Sequence, residues 1–231
     1  MLATAGRRLR MVVVEPRDQE GIPTAPVVRE TRRRRPEVAI VGYCRAGHED
    51  SRDIIDLAAA GIHELVFRDT TDSGLVLRHT LEHAAQSCGA AQALERLQPL
   101  IPAELRPLIE YCLYFPHLAT SVPRVAAALG VHRKTLVNLC RRAGFPTPSV
   151  LIAWSRLSIV AHLLETQGGV VERIAMSLEY PSATALRNTL RRYAGYRPAE
   201  LRDDGLAQLL DGFAAFLLAA TPQVAGSRRA G

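Results

Sequence analysis

The sequence predicts an α/β N-terminal part with a parallel sheet, followed by an all-α C-terminal domain of two helix-turn-helix units joined by a long helix. Three observations predict it. Apolar runs of strand character alternate with helix-spaced segments through the first hundred residues, the pattern of βα units. From residue 103 onward the apolar spacing is helical throughout. Within that helical part, one stretch of sequence returns about fifty residues later.

The strand candidates are "MVVVE" (11–15), "VAIVGYC" (38–44) and "HELVFRD" (63–69), roughly 26 residues apart. Helix-spaced segments follow each of them: "VVRETRRRR", "SRDIIDLAAAG" and "TDSGLVLRHTLEHAAQ". Gly61 is a good C-terminal cap for the second. The run "ETRRRRPE" is flanked by Glu30 and Glu37 and reads as a solvated helix end. Periodicity weakens in "SCGAAQALERLQPLIP", which reads as a linker.

The helical part opens with "AELRPLIEYCLYF" and continues with "SVPRVAAALG", begun by a capping serine, Ser121, and ended by Gly130. The basic stretch "LGVHRKTLVNLCRRAGF" is closed by Gly144 and Pro146. Next comes "PSVLIAWSRLSIVAHLLETQGG", which reads as a long amphipathic helix with apolar Leu151, Ile152, Leu157, Val160 and Leu164. "VVERIAMSLEY" and "SATALRNTLRRYAGY" are two further helices, stopped at Pro198. The apolar "LAQLLDGFAAFLLAA" (206–220), interrupted by Asp211, is too short to span a bilayer and reads as a packing helix.

The repeat pairs residues 125–145 with 174–196. Ala126 and Leu129 match Ala175 and Leu178 at an offset of 49; Leu136, Asn138, Arg141 and Arg142 match Leu186, Asn188, Arg191 and Arg192 at an offset of 50. One residue is added in the second turn. Each copy is helix, short turn, helix, the outline of a helix-turn-helix. At 100° per residue Leu136, Leu139 and Cys140 fall on one side of the first copy, with Lys134, Asn138 and Arg141 opposite. The second copy sets Leu186, Leu190 and Tyr193 against Thr184, Asn188 and Arg191. Both outward triads carry donors and acceptors suited to base edges and phosphates, and neither helix has an acidic i,i+4 partner of the kind a merely solvated face would carry. The joining helix, Pro148 to Thr166, would be about 28 Å long, near the roughly 34 Å between successive major-groove faces.

Charge points the same way. Residues 120–202 hold 12 Arg/Lys against 4 Asp/Glu, a net +8, whereas the flanking segments 1–119 and 203–231 each sum to −1. The excess positive charge is thus confined to one segment, as a polyanion partner requires. The four cysteines, Cys44, Cys88, Cys112 and Cys140, form no zinc-ligand spacing and read as buried reduced thiols. After its arginines the opening "MLATAGRRLRMVVVEP" has only a four-residue apolar run, unlike a signal peptide, and a cytoplasmic location is expected.

Residues 103–202 resemble the DNA-binding domain of AraC/XylS-family transcription factors. The most specific part is "IAMSLEYPSATALRNTLRRYAGYRPAELR", where Ile174, Ala175, Gly195, Pro198 and Arg202 match the family signature. Glu179 stands where the family has glycine, Tyr180 replaces a phenylalanine, and Leu186 and Leu190 replace two aromatics. The resemblance implies recognition residues Arg133, Lys134, Val137, Asn138 and Arg141 in the first unit. In the second it implies Thr184, Arg187, Asn188 and Arg191. From Glu179, the second unit is expected to contribute less.

Residues 11–90 resemble the last three βα units of a flavodoxin-like response-regulator receiver. The phosphoacceptor position holds Glu15, with Asp18 already in the loop; Arg68 replaces the lysine, and Cys44 or a neighbour the serine or threonine. Phosphoryl transfer needs the carboxylate, metal and lysine together, so no phosphoacceptor is expected. The expected organisation is a degenerate receiver-like region over 1–90, a linker over 91–102, the DNA-binding domain over 103–202, and a helix with a disordered tail over 203–231.

Three rivals stand beside a specific regulator. "HTLEH" (79–83) fits H-x-x-E-H, the inverted zinc-protease pattern, but no motif supplies a third ligand, and a half-exposed helix often carries such histidines. A phosphorylated response regulator lacks its acceptor. A DNA-binding protein without sequence preference needs only arginines, but the paired asparagines favour specific readout, since asparagine adds no charge and recognises adenine. The sequence therefore predicts a non-enzymatic regulator with no cofactor or metal and with double-stranded DNA as partner. A short parallel sheet leaves an open edge that favours a homodimer through the N-terminal region, and RNA polymerase is a further candidate partner.

Overall fold

The computed structural model of the chain describes residues 9–45, 51–68, 70–166 and 170–220. The chain divides into two compact units, 1–92 and 93–231.

In the first unit β1 (Met11–Val14), α1 (Ala25–Arg34), β2 (Ala39–Cys44), α2 (Ser51–Ala59), β3 (Glu64–Phe67) and α3 (Gly74–Leu97) alternate along the chain. The strands form a parallel sheet in the order β1-β2-β3, with Val12 paired to Ile40 and Gly42 to Leu65. Successive side chains of a strand point to opposite faces, and both faces of the central strand β2 are covered. Ile40 packs with Val28 of α1 and Leu57 of α2, joined by Val12 and Val14. Val41 packs with Val66 and with Ala84, Leu77 and Leu81 of α3, joined by Met11. Burial on both sides is why "VAIVGYC" is continuously apolar. The basic run behaves as a solvated helix end: Glu30 pairs with Arg33 at 2.8 Å and with Arg34, and Arg35 pairs with Glu37.

One difference from the sequence expectation lies in α3. Residues 91–97, expected in a linker, are helical, and a 3₁₀ turn continues over Gln98–Leu100. The two units divide at Gln92, within this helix. From Ala84 onward the helix buries Ala84, Ala85, Cys88, Gly89, Ala90 and Ala93, closed by Leu97. Side chains this small give little apolar contrast, so the helical period is faint in the sequence.

His63 extends the β2–β3 ladder with its side chain. Its backbone N–H donates to Ile40 O (2.7 Å), and Nδ1 accepts from Ile40 N (2.9 Å). A neutral ring that accepts at Nδ1 carries its proton on Nε2. The Arg32 guanidinium, 3.0 Å from Nε2, therefore lies beside the ring without donating to it. Burial, and then the Arg32 charge, push the His63 pKa down to about 4. The folded state thus binds fewer protons than the unfolded state between the ordinary value of 6.5 and about 4. The His63 contribution is complete above the upper value and is lost as pH falls through this window. Discounted for partial exposure, it is about 1–2 kcal/mol. Urea unfolding at pH 7 and pH 4.5 is expected to show a larger acid loss in the wild type than in His63→Asn; equal losses would refute the assignment.

The second unit contains α4 (Arg106–Tyr114), α5 (Val122–Ala128), α6 (Arg133–Arg142), α7 (Pro148–Thr166), α8 (Val171–Ser177), α9 (Ala183–Ala194) and α10 (Gly205–Ala220). Helix α7 is not amphipathic, as its spacing implied, but buried almost all round from Leu151 to Leu164. It is the axis of the unit, against which α4, α5, α6, α8, α9 and α10 all pack. Helix α10 is the packing helix expected: Phe213 stacks on Trp154 of α7 at 5.2 Å and Phe216 at 5.6 Å. The expected disordered tail, 221–231, lies outside the described residues, as does Asp69 of the third strand candidate. All four cysteines are buried and none is in a disulfide, and burial raises the Cys112 thiol to about 12 and that of Cys140 to about 11.

Candidate nucleic-acid interface

Helices α5 and α6 are joined by a short turn, as are α8 and α9, with α7 between the two pairs. Each second helix begins on a side-chain cap, which satisfies an otherwise orphan amide. His132 Nδ1 accepts from Lys134 N (3.2 Å) at the start of α6, and Ser182 Oγ from Ala185 N (3.1 Å) at the start of α9. Each is fixed inward by two buried residues, Leu136 and Cys140 in α6, Leu186 and Leu190 in α9.

The turns agree bond for bond. Gly130 has φ 66°; its amide donates to Ala127 O (3.1 Å) and the amide of Val131 to Ala126 O (2.9 Å). At an offset of 49, Glu179 has φ 53°, its amide donates to Met176 O (3.1 Å), and the amide of Tyr180 to Ala175 O (2.8 Å). Loss of the glycine therefore leaves the second turn in the same left-handed geometry. A Cβ in this region costs on the order of 1 kcal/mol, and the exposed ion pair of Glu179 with Arg124 (3.3 Å) offsets only part of it. Glu179→Gly is expected to stabilise the unit by about 0.5–1 kcal/mol in urea unfolding. A net destabilisation would mean that the ion pair outweighs the strain.

The outward faces carry the residues singled out from the sequence. On α6, Arg133, Lys134, Val137 and Arg141 are exposed and Asn138 is half-buried. Four of them, Arg133, Lys134, Val137 and Asn138, line one groove of about 530 Å³ together with Val122 and Pro123 of α5. On α9, Thr184, Arg187, Asn188 and Arg191 are exposed. Arg187 donates to Glu172 of α8 at 2.7 Å. The acidic support absent from α9 itself thus comes from the neighbouring helix. The Glu172 carboxyl is held below its ordinary range by its own backbone N–H at the start of α8 and by Arg187. The second face accordingly carries two carboxylates, Glu172 and Glu179, where the first has Pro123 and Gly130.

Sequence reasoning missed the residue that ties these parts together. Arg156 of α7 is only 8% exposed. Its Nε donates to Pro116 O (2.9 Å), in the loop before α5, and its Nη2 to Leu178 O, in the second turn. Its guanidinium lies 4.2 Å from the centre of the Tyr180 ring. Burial raises the Tyr180 phenol above its ordinary range. The available signal was an arginine inside the long apolar run "LIAWSRLSIVAHLL".

The other candidate sites come out differently. His83 Nδ1 pairs with Glu64, and the His79 and His83 rings stack at 6.5 Å. Among the described residues no group of three potential ligands could hold a metal. Glu15 is exposed just beyond β1 and, with Arg17, Asp18, Arg45 and Arg68, lines a hollow of about 410 Å³ that also takes in Tyr43 and Cys44 of β2. There Asp18 is committed to its own loop, accepting from the amides of Glu20 (2.9 Å) and Ile22 (2.8 Å). No described helix is long and apolar enough to cross a membrane.

No curated protein and no solved structure matches the chain. Residues 125–204 match a family model described as a helix-turn-helix domain, of the AraC type, and this match begins within α5 and ends beyond α9. That match supports a DNA-binding region of the kind found in transcription regulators.

Proposed function

We propose that the chain is a sequence-specific transcription regulator that reads two adjacent major-groove segments, α6 in one and α9 in the next. The observation that carries this is the repeated outward face, Lys134, Asn138 and Arg141 against Thr184, Asn188 and Arg191, presented on turns with the same hydrogen bonds. Arg133, Val137 and Arg187 complete the proposed contact set. The 19 residues of α7, about 28 Å, suit the spacing of successive groove faces. Asparagine at matched places supports adenine recognition, and the arginines supply phosphate contacts. Selection from random DNA with the purified protein is expected to enrich a site with two half-sites about one helical turn apart. Enrichment of a single half-site would refute two-unit reading, and no enrichment would favour a DNA-binding protein without sequence preference.

The second helix-turn-helix, α8 and α9, contributes less in this reading. Its turn is sound, but Arg187 is already paired, and Glu172 and Glu179 put negative charge on the face that approaches phosphates. Arg191→Ala is expected to cost less binding than Arg141→Ala in a mobility-shift titration; the reverse order would show the units ranked wrongly.

The N-terminal unit, residues 1–92, is proposed to be a degenerate receiver-like docking region in a cytoplasmic protein. Its support is the parallel order with helices on both faces; Glu15 at the acceptor position and Arg68 at the lysine position oppose phosphorylation. Among the described residues β1 is an edge strand with Val13 exposed, which supports a homodimer through this edge. RNA polymerase is the partner proposed for transcriptional output.

A further inference from the structure

The groove between α5 and α6 is walled by apolar Val122, Pro123 and Val137 and edged by Arg133, Lys134 and Asn138. Val137 is 42% exposed and lies on the outward face between Arg133 and Arg141. An apolar side chain at the centre of a basic face gains nothing from water or phosphate. The second copy makes this place different. At the same offsets, Val122 corresponds to Val171, Pro123 to Glu172 and Val137 to Arg187. There the Arg187–Glu172 ion pair, at 2.7 Å, joins the two helices where the first copy has its apolar cleft.

Major-groove base edges offer donors, acceptors and one apolar group, the C5 methyl of thymine. From the cleft and its contrast with the second copy we infer that the first helix-turn-helix reads a thymine methyl through Val137, seated against Val122 and Pro123. The inference rests on the proposed DNA reading of α6. Asn138, one residue on and bordering the same groove, is placed to take an adenine edge, so the first half-site contains an A·T-rich step. The second unit, with its cleft bridged by charge, makes no such contact.

Deoxyuridine differs from thymidine only in lacking this methyl, which makes the test specific. The site selected from random DNA is synthesised with each thymine replaced in turn by deoxyuridine, and binding is measured by titration. One thymine in one half-site is expected to be sensitive, losing about fourfold in affinity, the worth of one buried methyl group. Val137→Ala is expected to bind the thymine and uracil sites equally, whereas Asn188→Ala, on the second unit, keeps the difference. Val137 is exposed, so its truncation leaves the fold in place. A selected site indifferent to every thymine methyl, or a sensitivity that survives Val137→Ala, overturns this inference while leaving specific DNA binding intact. Failure to select any site overturns the functional reading and this inference with it.

Discussion

Arg156→Met is expected to destabilise the C-terminal unit by about 3 kcal/mol. The substitution keeps most of the buried stem but leaves Pro116 O and Leu178 O without their donor and removes the cation from the Tyr180 face. A buried acceptor left unsatisfied costs about 1–3 kcal/mol, and a desolvated cation–π contact adds on the order of 1–2. The wild-type charge is tolerable because Leu178 follows α8, where the helix dipole is negative. Arg156→Lys is expected to recover only part of the loss, since one ammonium cannot reproduce the planar fork that spans both carbonyls. The functional readout is separate from the stability one. Arg156 reaches the loop ahead of α5 and the turn between α8 and α9, so its loss frees the two helix pairs from a common axis. Binding to a site with both half-sites is expected to fall further than binding to one half-site. Urea unfolding and titration of both DNAs check this, and a stability change under 1 kcal/mol would show that the contacts are not holding the unit together.

Asn138→Ala is expected to weaken specific binding by about 1–3 kcal/mol while leaving binding to random DNA nearly unchanged. The side chain carries no charge, so its removal leaves the counterion-release term alone. It is half-buried beside Lys134 and Val137, which restricts the orientation of its amide. Equal losses on specific and random DNA would mean that Asn138 supports the helix instead of reading a base.

The parts of the fold and site that were legible in sequence share a cause. The repeat could be read because helix period and offset agree at residues whose chemistry has two extremes: Leu136 and Leu186 inside, Asn138 and Asn188 outside. The strands could be read because both faces of a covered parallel sheet are apolar. Three things were not legible. The second half of α3 buries alanines and a cysteine, whose pattern is faint. Arg156 is a charged residue whose partners are backbone carbonyls 40 and 22 residues away, and no local rule points to them. The Arg187–Glu172 pair crosses between helices, outside the i,i+3 and i,i+4 spacings by which ion pairs are sought. Glu179 shows the converse: an unfavourable residue type at a turn whose hydrogen bonds hold it in place regardless.

The stacking of Phe213 and Phe216 on Trp154 bears on where this domain can be cut. The family match ends at residue 204, ahead of α10, yet the indole of α7 is covered from the far side of that boundary. A fragment trimmed to the matched segment would open a wide aromatic surface along the helix that joins the two units. Any excised piece that keeps this indole covered therefore runs on through Ala220, and the C-terminal helix acts as a lid on the helix that joins the two pairs.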